Sequence, residues 1–185
     1  MSAAVGDGLV TMDATNLATL YDLPTLDWGA ITAGLDAGFP QAPGSGGPNR
    51  HSSWLTTLDA DGGPHVTGIG ALWVDGTFWF ETGERTRKGR NLARDPRCAL
   101  SLATEKFDLV VRGTAEQVTD PATVARMAAH WAEDWPCRVD DSGTALTADF
   151  SAPSAGRPPW HVYRIVAESA TALSIAPGGA TTWRF

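Results

Sequence analysis

The sequence lacks long apolar runs and has few cysteines, and each of these absences excludes a class of protein. No stretch approaches the roughly twenty apolar residues of a transmembrane helix, and residues 1–21 lack the basic start and apolar core of an export signal. The two cysteines, Cys98 and Cys137, lie far apart and outside any redox or zinc spacing. These features predict a cytoplasmic protein with buried thiols, no membrane contact and no metal site.

Positive charge is also scarce in the chain as a whole. Fourteen basic residues stand against 21 acidic ones, which gives a formal net charge of −7. A broad electrostatic surface for nucleic acid is therefore not expected, and any local basic cluster becomes informative. The chain does have the composition of a folded protein, with 43% hydrophobic residues and eight tryptophans over 185 residues, enough for one domain with its own core.

Proline and glycine divide the chain into an arm and one domain. The stretch 40–49, PQAPGSGGPN, has no residue that builds an apolar face. We therefore predict an N-terminal arm and linker over 1–49 and a compact domain over 50–185. The arm shows no sustained periodicity, and packing against a partner subunit is one hypothesis for it.

Short strands dominate the predicted domain. Asp61-Gly62 and Asp75-Gly76 separate runs rich in aromatic and β-branched residues, and Asp-Gly suits tight hairpin turns in which both central residues have positive φ. Two successive hairpins are therefore expected, followed by further strands, one with Gly113 as a bulge or bend. The strand-like runs are 51–59, 65–74, 77–82, 97–103, 107–118 and two within 160–176. Residues 181–185 are predicted to form an aromatic tail after the last strand.

Two short helices interrupt the strands. The first is predicted from about Arg87 to Arg94, because Thr86 can cap it and the Asp95-Pro96 dipeptide ends it. The second is predicted from 121 to about 134, where one apolar stripe repeats at helical spacing. Its members are Val124, Met127, Ala128, Trp131 and Trp135.

The polar, turn-rich stretch 137–159 is a second feature of the C-terminal half. Loops of this length in compact domains are often functional, so we interpret it as a candidate lid. The four histidines show no paired ligand spacing, and none is predicted to bind a metal ion.

A basic cluster lies where the second hairpin leads into the first helix. Six of the fourteen basic residues fall within 85–97, against one acid, Asp95. Free amides at the helix start, the Thr86 hydroxyl and the Arg87 and Lys88 side chains can converge there on a phosphate. The alternative is a solvated basic helix face, and composition alone leaves the two interpretations equally open.

The segment FETGERTRKGRNLARDPR resembles the flavin-phosphate motif of the pyridoxamine 5′-phosphate oxidase-like split barrels. The motif positions are Phe80, Thr82, Thr86, Arg87, Lys88 and Leu92. The preceding HVTGIGALWVDGTFWFET is similar to the branch that uses FMN or the deazaflavin coenzyme F-420. The resemblance covers about 51–185 and implies an α+β fold, mainly β: an antiparallel split β-barrel with two short helices. It also implies a homodimer with sites at the interface.

The resemblance implies roles for individual residues. Arg87 and Lys88 would hold the cofactor phosphate, and Gly68 would leave room for a flat ring. The implied cofactor-binding residues are Val66, Thr67, Gly68, Ile69, Phe80, Thr82, Thr86, Arg87, Lys88 and Asn91. No catalytic side chain is assigned, because the cofactor carries the redox chemistry in such proteins.

The implied function is an oxidoreductase in which coenzyme F-420 transfers a hydride to or from a small organic substrate. An FMN-dependent oxidase or reductase of the same fold is an alternative, and a non-catalytic flavin- or heme-binding protein is another. Oxidation of vitamin B6 is not expected, because the chain lacks the basic strand residue and the arginine-rich C-terminal signature of the true pyridoxamine phosphate oxidases.

Overall fold

The computed structural model describes residues 12–38, 52–132, 135–152, 154–174, 176 and 178–185. Within them, the strands are β1 (Asp13–Asn16), β2 (Ser52–Leu58), β3 (Pro64–Gly70), β4 (Leu72–Val74), β5 (Thr77–Thr82), β6 (Arg97–Ala103), β7 (Phe107–Val118), β8 (Arg138–Val139), β9 (Leu146–Thr147), β10 (His161–Ser174) and β11 (Gly179–Arg184). The helices are α1 (Trp28–Asp36), α2 (Arg87–Arg94) and α3 (Pro121–Ala132).

One antiparallel sheet contains nine of these strands. Its main order is β1-β11-β10-β7-β6-β2-β3, and β5 pairs with both β10 and β4. Strand β10 pairs with β7 along its whole length, whereas its other edge pairs with β5 over 161–164 and with β11 over 169–174. This change of partner along one strand splits the barrel, and it accompanies a β-bulge between Ala167 and Ser169.

The main core is formed by the inward-facing side chains of the strands, which alternate with exposed side chains. In β7, Leu109 and Val111 point inward while Asp108 and Arg112 are exposed, as expected for a period of two. Ile31 and Leu35 of α1 belong to the same core. The predicted split barrel, an α+β fold that is mainly β, is therefore confirmed.

A second core lies on the other face of β5, beneath α3. The apolar stripe of α3 packs with Trp79 and Val162 and with the small β8-β9 hairpin. Trp160 is fully buried there. The predicted start of α3 is confirmed, and residues 133–134 at its predicted end lie outside the described residues.

The N-terminal segment contributes to the sheet in the described structure. Strand β1 pairs with the C-terminal strand β11, and the Asp27 carboxylate caps α1 by accepting from the Gly29 amide at 3.1 Å. Helix α1 was not predicted, because its small residues form no clear apolar stripe. The linker predicted at 40–49 lies outside the described residues, so the division at 49/50 stays a prediction.

Three strand predictions were wrong in detail. The run 65–74 breaks at Ala71 into β3, which pairs with β2, and β4, which pairs with β5. Within 160–176 there is one strand, β10, and the predicted tail forms β11 instead. The sequence revealed neither the break at Ala71 nor the continuity of β10, because both depend on which strands pair in the folded sheet.

The turns and the bulge also differ from expectation. Asp75 and Gly76 both have positive φ as predicted, but in the first turn only Gly62 does, within a longer loop closed by Asp59 N to Gly63 O at 2.8 Å. The bulge lies in β10, opposite Gly113, which is instead required by close packing. A Cβ at Gly113 would lie 2.0 Å from the Val166 carbonyl oxygen.

The helices of the described residues are all short. None of them is long and apolar enough to cross a membrane.

Candidate functional site

The basic turn between β5 and α2 is held in shape by a threonine pair. The Thr86 hydroxyl caps α2 by accepting from the Gly89 amide at 3.0 Å, and it lies 2.9 Å from the Thr82 hydroxyl and 2.8 Å from the Gly83 carbonyl oxygen. Gly89 is required here, because a Cβ would lie 2.4 Å from the Gly83 carbonyl oxygen. The predicted cap and helix are confirmed, and Thr82, fully buried, acts on the turn through Thr86.

Arg87 reaches across to the loop that joins β2 to β3. Its Nε donates to Asp59 Oδ1 at 2.8 Å, and a second guanidinium nitrogen contacts the other carboxylate oxygen. This hydrogen bond, more than any other effect, lowers the pKa of Asp59 and raises that of Arg87. The guanidinium remains more than half exposed, so its remaining N–H groups are available to a ligand.

Asn91 is a buried link between the same two elements. Its Nδ2 donates to Thr57 Oγ1 at 3.1 Å and to Asp59 Oδ1 at 3.0 Å, which uses both amide protons. Its side chain therefore holds α2 against β2.

Lys88 points into the protein. Only 3% of it is exposed, and its ammonium donates to the Ser154 carbonyl oxygen. Burial lowers the pKa of Lys88, and burial raises the pKa of the neighbouring Glu81 to about 8. Burial, with a contribution from Glu81, also raises the pKa of the Cys137 thiol to about 11. Two ionisable side chains, Glu81 and Lys88, are therefore buried beneath the basic turn.

Strand β3, predicted to contact a ring system, lies at an edge of the described sheet. Val66 is 55% exposed, whereas Ile69 on the opposite face is buried in the main core. Gly68 faces outward with Val66, and directly across from it Trp54 of β2 is 54% exposed. A Cβ at Gly68 would meet the Trp54 ring at 3.8 Å, an ordinary contact. This exposed tryptophan was missed by the sequence reasoning.

The ten predicted residues divide by burial. Phe80 is fully buried and stacks on Tyr163 with ring centroids 5.2 Å apart. The buried set is Ile69, Phe80, Thr82, Lys88 and Asn91. The accessible set is Val66, Thr67, Gly68, Thr86 and Arg87. Asp59 joins α2 to the hairpin of β3, and it was not predicted because its role depends on a contact 28 residues away in sequence.

A cleft of about 260 Å³ lies beside the turn. One wall is Gly83–Thr86 and the other is Ala155–Pro159, at the end of the predicted lid. The Gly83 amide donates to the Ala155 carbonyl oxygen at 2.9 Å, so the two walls are bonded together. The candidate lid is thus packed against the turn, and Ala155 is buried.

The donors around this turn fit an anionic group. Thr86 and the exposed side chains of Arg85 and Arg157 line the cleft, and Arg87 lies immediately next in sequence. Guanidinium groups and a helix start suit a phosphate or carboxylate. Within the described part of the chain, no group of three or more His, Cys, Asp or Glu side chains could hold a metal ion.

A second cavity, of about 410 Å³, lies at the opposite end of β5. Aromatic side chains dominate its lining, and Trp73 Nε1 there donates to Asp36 Oδ1 at 2.7 Å. Its distance from the basic turn, along a strand of six residues, is on the order of 20 Å.

Solved structures with the same fold support this architecture. A conserved hypothetical protein from Mycobacterium tuberculosis is 21% identical with a TM-score of 0.54, covering 81% of this chain and 86% of that one. A putative pyridoxamine 5′-phosphate oxidase from Listeria innocua is 19% identical with a TM-score of 0.51, covering 77% and 94%. A heme binding protein from Mycobacterium smegmatis is 17% identical with a TM-score of 0.51, covering 71% and 52%. At these identities, the likeness shows the fold.

A family model gives a more direct assignment than these structures. A search among curated proteins found no significant match. The model described as pyridoxamine 5′-phosphate oxidase matches residues 48–172, which include the basic turn, β3 and most of the sheet. Because this match spans more than half of the sequence, the chain belongs to the pyridoxamine 5′-phosphate oxidase family.

Proposed function

We propose that the protein is an oxidoreductase that binds coenzyme F-420 and transfers a hydride to or from a small organic substrate. When bound, the cofactor supplies the redox chemistry, and the chain binds, orients and shields it. Family membership supports the oxidoreductase class, and the site residues support a cofactor with an anionic end and a flat ring. No side chain is assigned as a catalytic acid or base.

The observation that carries this proposal is the pairing of Arg87 with Asp59. It brings a cationic helix start next to the hairpin that contains β3. A phosphate held at Thr86 and Arg87 would then lie beside a strand about 20 Å long, which is enough for an extended cofactor. Asp59 engages two of the three guanidinium nitrogens and leaves Nη1 for a ligand.

The exposed face of β3 is the proposed platform for the ring. Gly68 and Val66 face outward there, with Trp54 alongside. A strand with small residues permits close approach of a planar molecule, and an exposed tryptophan offers a stacking surface. This small-residue strand is the reason for preferring coenzyme F-420 to FMN.

We also propose that the protein is a homodimer with its sites at the interface. Trp54 and Val66 form an exposed apolar patch on the outer face of β2 and β3. Burial of such side chains is favourable, at about 25 cal/mol per Å² of apolar surface. The same face would thus contact both the partner subunit and the ring of the cofactor.

The test is a titration of the purified protein with coenzyme F-420 and with FMN, followed by tryptophan quenching. We expect micromolar or tighter binding of coenzyme F-420. Trp54→Phe should remove part of the quenching, because Trp54 is the exposed indole beside the platform. Binding of FMN alone would select the FMN-dependent alternative, and binding of neither would overturn the proposal.

Variants of the turn give the second part of this test. Arg87→Ala should weaken cofactor binding by about 1.5 to 3 kcal/mol, the range expected for a lost hydrogen bond between charged groups. Lys88 is left unchanged, because its ammonium is buried against the Ser154 carbonyl oxygen. Arg164→Ala is the matched control, since that arginine is also exposed and paired with a carboxylate, Glu116. Cofactor that binds but reduces no quinone or unsaturated acceptor would indicate the non-catalytic flavin- or heme-binding alternative.

A further inference from the structure

The cleft beside the basic turn contains two arginines from opposite walls. Arg85 belongs to the turn that precedes α2, and Arg157 belongs to the segment that follows β9. Both side chains are exposed. Among the described residues, neither guanidinium donates a hydrogen bond or joins an ion pair, in contrast to Arg87 and Arg97.

Hydrogen bonds join the two walls of the cleft. Besides the bond from Gly83 to Ala155, the Lys88 ammonium donates to the Ser154 carbonyl oxygen. A Cβ at Gly156 would lie 3.2 Å from Thr86 Cγ2, so the backbones approach closely. The two arginines are therefore carried on walls that the main chain itself joins, and bringing both to one ligand requires no large movement.

The charge of the cleft is positive, with one opposing group. Glu84 also lines it, so two guanidinium groups face one carboxylate. Its volume of about 260 Å³ is enough for a small anionic group such as a phosphate. Thr86 lines the cleft but neither Arg87 nor Lys88 does, so the cleft adjoins the predicted phosphate site and shares one residue with it.

We propose that this cleft is a second anion subsite, in which Arg85 and Arg157 together bind a phosphate or carboxylate group of the ligand. The identity of the ligand rests on the proposed function, whereas the anion chemistry rests on the cleft alone. Because Arg157 belongs to the lid segment, an anion bound between the two arginines also fastens that segment to the turn.

The experiment uses pyrophosphate as a probe, by calorimetry at low salt, with coenzyme F-420 and FMN titrated in parallel. Arg157→Ala and Arg85→Ala should each weaken pyrophosphate binding about tenfold, as for loss of a hydrogen bond to a charged group. Glu84→Gln should strengthen it, because the opposing charge is removed. Arg138→Ala, an exposed arginine paired with Asp149, is the control and should have no effect.

Hydrogen exchange provides a readout that general electrostatics would not change. Pyrophosphate should slow amide exchange in 154–160 of the wild type and not in Arg157→Ala. Thermal unfolding of each variant checks that the fold is intact.

The outcomes separate the subsite from the proposed function. Pyrophosphate binding that depends on Arg157, without binding of either cofactor, would keep the subsite and overturn the proposed function. Cofactor binding that depends on Arg87 and not on Arg157, with pyrophosphate unaffected by Arg157→Ala, would overturn the subsite and keep the proposed function.

Discussion

At the scale of single residues, the close approach of two backbone segments requires glycine at several positions. Gly113 lies opposite the bulge in β10, and an added methyl group would collide with the Val166 carbonyl. Neither strand can move away freely, because β7 and β10 pair over their whole lengths. The glycine is thus a consequence of packing between neighbouring strands, and not of a bend in its own strand.

Gly113→Ala should lower the free energy of unfolding by about 2 kcal/mol or more, as overpacking of a tight site does. Denaturant unfolding measures this change. Gly68→Ala is the matched control, because its added methyl group meets only the Trp54 ring at 3.8 Å, and its effect should stay within about 1 kcal/mol. Equal effects of the two substitutions would contradict this account of Gly113.

Glu81 gives a prediction for the pH dependence of stability. Its pKa is raised from 4.5 to about 8 by burial, so between these values the unfolded chain loses a proton that the folded chain keeps. Glu81 therefore stabilises the fold fully below pH 4.5, and this contribution is lost as the pH rises toward 8. Glutamine does not titrate, so the free energy of unfolding of Glu81→Gln, relative to that of the wild type, should rise by about 1.4 kcal/mol per pH unit in that window.

Thermal or denaturant unfolding of both proteins from pH 4 to pH 9 measures this difference. A difference that stays constant across the series would show that Glu81 ionises normally in the folded protein.

At the scale of elements, the segment that follows α3 is fastened by one tryptophan. Trp160 is fully buried, and its ring packs against that of Trp135 with centroids 4.7 Å apart. Its Nε1 donates to the Gly156 carbonyl oxygen at 3.1 Å. Its backbone also exchanges two hydrogen bonds of 2.8 Å with Leu146 of β9. The position of Arg157 over the turn therefore depends on this anchor.

Trp160→Ala should destabilise the protein by about 3 to 5 kcal/mol, the usual range for loss of a buried tryptophan. Hydrogen exchange should speed up most in 146–160, while β7, in the main core, should stay protected. Phe150→Ala, a half-exposed aromatic neighbour of the same cluster, is the milder comparison. Uniform loss of protection across both cores would contradict the anchoring role.

At the scale of the whole molecule, the outer face of β2 and β3 is the proposed subunit contact. Light scattering of the wild type should give twice the chain mass of 19.5 kDa. Trp54→Glu should give the monomer mass, because a buried unpaired charge opposes association. Leu173→Glu, at an equally exposed apolar site on β10, outside the β2-β3 face, should remain a dimer. A wild type of monomer mass would contradict the proposal.

The local elements could be predicted from the sequence because their signals are short-range. Thr86, the Asp95-Pro96 dipeptide and the apolar stripe of α3 act within a few residues, so α2 and the start of α3 were predicted correctly. The Asp75-Gly76 turn belongs to the same class. The strand run 107–118 was likewise predicted with the bounds that β7 has in the structure.

The partners of these elements depended on tertiary structure. The split of β10 between β5 and β11, the break at Ala71 and the bulge opposite Gly113 all follow from which strands are neighbours. No local pattern encodes that choice, because it follows from packing of the whole sheet.

For the candidate site, the sequence by itself determined the basic turn, its capped helix and the small-residue strand. Only the tertiary structure showed Arg87 paired with Asp59, Lys88 turned inward and Arg157 placed across a cleft from Arg85. These features require contacts between residues 28 to 72 positions apart, and such contacts form only when the barrel closes. The chemical groups were thus present in the sequence, and their arrangement was decided by the fold.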